Sequence, residues 1–148
     1  MGQALQKVDR FFAAFNAQDD AGCREIIDEA ERVGLDYRSP MGAMSTADEI
    51  MTNAIGPFWR AFPDGAVQTL ATAETDDGLT IEHHYTGTHT GPLSMPDGTT
   101  VPPTGRSIAF DACTVVRTEN GTIRSWHAYF DQMAMAVQLG LIPAPATP

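Results

Sequence analysis

The chain is short of positive charge: nine Lys and Arg stand against nineteen Asp and Glu, for a formal net charge of −10. With no basic stripe there is nothing to grip a phosphate backbone, and an anionic lipid surface repels such a chain. Neither nucleic acid nor a membrane is an expected partner. Cysteine is equally scarce. Cys23 and Cys113 lie far apart and cannot make a disulfide scaffold, so reduced thiols are expected, and neither sits in a nucleophile motif. Long apolar runs are missing too: nothing approaches the ~18 residues of a membrane span, and no charged-then-apolar leader pattern is visible, which makes a cytoplasmic location the expectation. No GxGxxG or GxxxxGK[ST] run follows a strand, so no phosphate cradle is expected. The four histidines lack ligand spacing. His83 and His84 are neighbours on a strand and point to opposite faces, and no carboxylate or Cys completes a set with His89 and His127. Neither a metal nor a cofactor is predicted.

What remains is enough for one core. At 148 residues and 43% hydrophobic, the chain reads as a single domain over 1–148. Leu5, Val8, Phe12 and Phe15, with Phe11 beside them, recur at helical steps, and a second stripe follows in Cys23, Ile26, Ile27 and Ala30 after a cap at Asp20 and before a stop at Gly34. A short strand is predicted over 35–39, then a third helix from the capping box Thr46 to Glu49, kinked or divided at Pro57. From Gly65 the period changes to two. Residues 67–74, 79–90, 107–117 and 122–130 read as a strand meander, with Asp76-Asp77-Gly78 and Glu119-Asn120-Gly121 as hairpin turns. Between the second and third of these strands lies a Pro- and Gly-rich loop from Gly91 to Gly105, long enough to be a pocket rim or a subunit contact. The Pro-Ala tail at 143–148 is expected to fray. Helices first and sheet second is the order of an α+β domain: a curved antiparallel sheet wrapped around N-terminal helices, a cone with a central cavity.

Candidate chemistry gathers at the end of the last strand. His127, Tyr129 and Asp131 alternate and so share a face. Asp131 is either a general acid/base there or the N-cap of a helix beginning at Gln132. His127 either orients that acid or is a half-buried side chain bonded to backbone. Tyr85, on the inward-reading face with Leu79, Ile81 and His83, is either a donor to a developing oxyanion or a packed ring. Asp111 is a second carboxylate or an outer-face residue. The expected catalytic pair is Asp131 with His127. The expected ligand contacts are Tyr85, His83, Tyr129, Phe15, Phe58 and Asp111.

The order of elements, together with Thr88-His89-Thr90-Gly91-Pro92-Leu93, Pro102-Pro103-Thr104-Gly105-Arg106, Glu119-Asn120-Gly121, Tyr129-Phe130-Asp131 and Gln138-Leu139-Gly140-Leu141, resembles the SnoaL-like polyketide cyclases. These belong to the nuclear-transport-factor-2-like (NTF2-like, cystatin-like) superfamily. The resemblance implies a cofactor-free aldol ring closure on a hydrophobic carbonyl or polyketide-like ligand, with Asp131 as the general acid/base. The cyclases carry a His in the strand before the last hairpin. Residues 107–117 have none, and His127 or Asp111 would take that place. The same superfamily holds isomerases, epoxide hydrolases and non-catalytic binders, so epoxide opening by Asp131 and Asp111, with Arg106 or Arg124 orienting water, and simple binding stand as the alternatives. An apolar outer sheet face would make a homodimer or higher homo-oligomer.

Overall fold

The computed structural model describes residues 2–144, so most of the Pro-Ala tail lies outside the described residues. Helix α1 spans Gln3–Asn16 and buries Val8, Phe12 and Phe15. Helix α2 spans Asp20–Glu31 and buries Cys23, Ile26, Ile27 and Ala30. Its cap is Asp19 rather than Asp20: the Asp19 carboxylate accepts the Gly22 N–H, because only a residue outside the helix can turn its side chain back onto the first free amides. Gly34 ends the region in a left-handed conformation, φ +83°.

Strands β1 (Asp36–Ser39) and β2 (Gly42–Met44) form a small hairpin, of which β2 is too short to leave a sequence pattern. Thr46 then caps α3 (Ala47–Ile50) by accepting the Glu49 N–H. The third helix is divided, as Pro57 dictates. A proline ring collides with the carbonyl of the preceding turn, and the backbone avoids this by opening into a π-helical turn over Met51–Ile55 before α4 begins at Gly56–Ala61, with Pro57 in its first turn.

The meander follows as β3 (Ala66–Thr75), β4 (Gly78–Thr88), β7 (Ser107–Glu119) and β8 (Thr122–Phe130), all antiparallel neighbours. The Asn120-Gly121 turn has both residues at positive φ, 51° and 79°, as a primed hairpin requires. Inside the long loop a minimal hairpin forms from β5 (Leu93–Ser94) and β6 (Thr100–Val101). Helix α5 (Gln132–Gln138) closes the chain against β7, and Gly140 at φ +75° stops it.

The six-stranded sheet has the order β2-β1-β8-β7-β4-β3. It is mixed rather than wholly antiparallel. β1 runs parallel to β8, pairing Asp36 with Ser125 and Arg38 with His127, since a strand arriving from the helical layer meets the free edge of the meander in that direction. Bulges at Thr69/Ala71 and Arg117/Thr118 add bend. The concave face closes over α1 and the α3–α4 region, with the main core between them. A second core, built on Ala61, Phe62, Leu93, Ile108 and Leu139, ties the long loop and α5 to the end of the sheet.

Candidate functional site

Between the helices and the concave sheet is a cavity of about 140 Å³. Its walls are aromatic: Phe15, Phe58, Phe110, Trp126 and Phe130 line it, with Tyr85 among them. Asn53 and Ser94, both exposed, mark where it meets solvent. Its polar lining side chains are Tyr37, Ser39, Asn53, Tyr85, Ser94 and the Trp126 indole, and neither a carboxylate nor an imidazole is among the lining residues.

Tyr85 is fixed from several sides. Its ring stacks on Phe110 at 5.3 Å and meets the edges of Phe58 at 5.7 Å and Phe15 at 6.2 Å, while His83 lies against it at 5.2 Å. Such packing fixes the phenol within the cavity wall. Burial pushes its hydroxyl well above the ordinary tyrosine value, and the nearby Tyr37 pushes it further. Burial raises Tyr37 as well, opposed by the Ser39 hydroxyl. Two neighbouring phenols are thus held neutral, as proton donors, in an apolar enclosure. A carbonyl placed there would be polarised without competition from bulk water.

His83 stands behind the wall rather than in it. It is 1% exposed, its Nε2 bonds the Thr114 hydroxyl at 2.8 Å, and its Nδ1 has no partner among the described residues. Burial lowers its pKa from the usual 6.5 to about 4. Between those values the unfolded chain takes up a proton that the folded chain refuses, so stability is whole above pH 6.5 and declines as pH falls toward 4. At ~1.4 kcal/mol per unit, the loss is roughly 3 kcal/mol. Urea unfolding at pH 7, 5.5 and 4 should give a steeper decline for the wild type than for His83→Gln. Parallel declines would exclude His83 as the source.

The end of β8 has the opposite sense from the one predicted. Trp126 and Phe130 face the cavity, and His127 and Tyr129 lie on the convex side. His127 Nε2 contacts Asp36 Oδ2 at 3.1 Å, and Tyr129 is 59% exposed. The physical reason is burial of the more apolar set, Trp126 packing on Phe11 at 5.2 Å and Phe12 at 5.7 Å. Asp131 caps α5, its Oδ1 accepting the Ala134 N–H at 3.1 Å, and its side chain is exposed. Its chain neighbours reach the cavity all the same: Phe130 before it and Met135 after it line the cavity, and Gln132 donates to Met41, another lining residue. Asp111 also faces outward, 72% exposed and 2.6 Å from His84 Nδ1. Phe15 and Phe58 are in the wall.

The acid pair needed for epoxide opening is not brought together. Asp111 is on the convex face, and Arg124 is spent on the Val33 and Gly34 carbonyls. Cys23 is buried, and burial, with Asp19 and Asp20 adding to it, pushes its thiol up to about 12, far from a reactive thiolate. Among the described residues no group of three His, Cys, Asp or Glu is placed to hold a metal ion, and no helix is long and apolar enough to cross a membrane.

Tyr37, Asn53, Phe110 and Trp126 are cavity residues that the sequence reading does not mark. For β8 the signal was present, since Trp126, Ala128 and Phe130 are uniformly apolar and His127, Tyr129 and Asp131 are not.

Solved structures with the same architecture include AclR of Streptomyces galilaeus, a proposed hydroxylase, 20% identical with a TM-score of 0.77 over 97% of this chain and 85% of that one. A proposed SnoaL-like polyketide cyclase of Jannaschia sp. CCS1 is 22% identical, TM-score 0.77, over 95% and 94%. IdmH of Streptomyces antibioticus, a proposed polyketide cyclase, is 22% identical, TM-score 0.73, over 93% and 99%. At these identities the likeness establishes an NTF2-like fold. Among curated proteins, none matches the chain in sequence. The model of the SnoaL-like polyketide cyclases matches residues 6–139, nearly the whole chain with the cavity, its phenols and the α5 cap inside the match, and the protein belongs to that family.

Proposed function

We propose that the protein binds a hydrophobic carbonyl compound in this cavity and promotes its intramolecular aldol ring closure without a cofactor. The observation that carries the reading is the pair of neutral phenols, Tyr37 and Tyr85, inside an otherwise aromatic enclosure. A ligand folded into so small a space brings its two reacting carbons to near-attack distance, which removes much of the entropic part of the barrier. The phenols hydrogen-bond the carbonyl oxygen as it gains negative charge, first in the enolate and then in the alkoxide.

The α-proton must leave and a proton must return. Since the cavity wall offers neither a carboxylate nor an imidazole, we place the exchange at the rim and give it to Asp131, the residue at which the sequence resemblance implies a general acid/base. His127, turned to Asp36, takes no part. The alternative is a binding protein with no turnover, and the bareness of the wall favours it. Turnover and binding, measured together on a linear polyketide-like diketone for the wild type, Tyr85→Phe and Asp131→Asn, separate the two. Cyclisation that falls in both variants while binding persists supports the enzyme. Binding without cyclised product in the wild type supports the carrier.

A further inference from the structure

Helix α5 carries Asp131 at its head and has little of its own to hold it still. It has seven residues, none of them fully buried, and a helix shorter than ~12 residues is marginal in water without tertiary support. Its place is therefore set by ties at its ends. At the head, the Asp131 carboxylate accepts the Ala134 N–H, which fastens the side chain to the helix but not the helix to the sheet. Beyond the foot, Leu139 is buried in the second core. Among the described residues, the polar tie between α5 and the six-stranded sheet is Gln138.

The register explains what Gln138 does there. Strand β8 ends at Phe130, opposite Ala112, whereas β7 begins earlier, at Ser107. The first part of β7 thus has β4 on one side and no strand on the other. Gln138 fills part of that gap. Its Oε1 accepts the Ala109 N–H at 2.8 Å, and its Nε2 donates to the Ala109 carbonyl at 2.9 Å. These are the two bonds that a paired residue of an antiparallel strand exchanges, and a pair of opposed bonds fixes direction as well as distance.

Resting on the cyclisation reading of the cavity, we propose that Gln138 is a positioning residue for Asp131: it clamps α5 to the end of β7 and so sets where the Asp131 carboxylate stands relative to the cavity. The two residues bound one short helix, and Met135 between them lies in the cavity wall. A swing at the foot of α5 therefore displaces its head. In catalysis a misplacement of about 1 Å can lower a rate by ~10²-fold. Stability responds differently, because Ala109 is exposed and Gln138 only half-buried, and water takes over both bonds when the clamp is removed.

The test uses Gln138→Met, which keeps the length and helix propensity of the side chain without its amide, and heptane-2,6-dione as the linear diketone. For cyclisation kcat should fall by ~10- to 10²-fold while KM stays within about twofold and the melting temperature hardly moves. In the Asp131→Asn background the same change should lower kcat no further, since a residue acting through Asp131 then has nothing to position. Amide exchange followed by NMR is independent of turnover. The Ala134 N–H, at the other end of α5, should exchange faster in Gln138→Met together with the Ala109 N–H. An undiminished kcat would overturn the proposal, as would an equal further loss in the Asp131→Asn background or a loosening confined to Ala109. Each of these leaves the cyclisation reading standing. Absence of cyclised product from the wild type would remove that reading and the role of Gln138 with it.

Discussion

Asp131→Asn is expected to lower cyclisation turnover by ~10²- to 10⁴-fold, the usual loss when a positioned acid/base is removed, and to leave the melting temperature nearly unchanged. The two halves have separate causes. The amide retains an oxygen for the Ala134 N–H, and Asn caps a helix about as well as Asp, so α5 stays in place. What the amide cannot do is accept the α-proton and return it. Asp131→Ala removes both functions and should add a stability loss of about 1 kcal/mol. Tyr85→Phe is the companion variant. Losing one oxyanion donor should lower turnover by ~10²- to 10³-fold with the aromatic packing on Phe110 and Phe58 intact. Full turnover in Asp131→Asn would leave its carboxylate with the cap alone. Full turnover in both variants would place the chemistry outside this cavity.

Phe62→Ala is expected to cost about 3–5 kcal/mol, read as a shift in the urea midpoint at unchanged slope. Phe62 is 1% exposed and belongs to the second core, yet its ring also lines the cavity. It packs on Phe58 at 5.1 Å and on His89 at 5.5 Å. Truncation therefore enlarges a cavity that is already present instead of leaving a hole that neighbours can fill, which puts the cost in the upper part of the range for such changes. His89 should loosen as well. Its Nδ1 bonds the Thr104 amide and hydroxyl and so fastens the far end of the long loop to the sheet. Limited proteolysis within 91–105 should therefore quicken in Phe62→Ala. A loss below about 1 kcal/mol with no change in proteolysis would contradict the role of Phe62 as the joint between the two cores.

The helical stripes, the meander and its turns were legible because each is written in local periods: Val8, Phe12 and Phe15 at helical spacing, Leu79, Ile81, His83 and Tyr85 at spacing two. The division at Pro57 was legible from ring sterics alone. The facing of β8 differs from the expected one because two alternations compete along it, and burial selects the apolar set, Trp126, Ala128 and Phe130, over His127, Tyr129 and Asp131. The cap at Asp131 was readable and stood as one of two open readings, whereas the short strands β2, β5 and β6 exist only through their pairings and carry no period of their own. Tyr37 entered the site through a parallel pairing with Trp126 that no local pattern encodes.

That parallel pairing has a consequence for how the molecule is made. Asp36 and His127, which meet across it, are 91 residues apart in the chain. Contacts of such separation must overcome a large loop-closure entropy before they return anything, and they are formed late. During synthesis α1 and α2 leave the ribosome long before β8, so Phe11 and Phe12 wait without the Trp126 edge that will cover them. The aromatic wall of the cavity is therefore assembled last, and a nascent chain stalled before Trp126 presents that wall as a sticky surface to the chaperones around it.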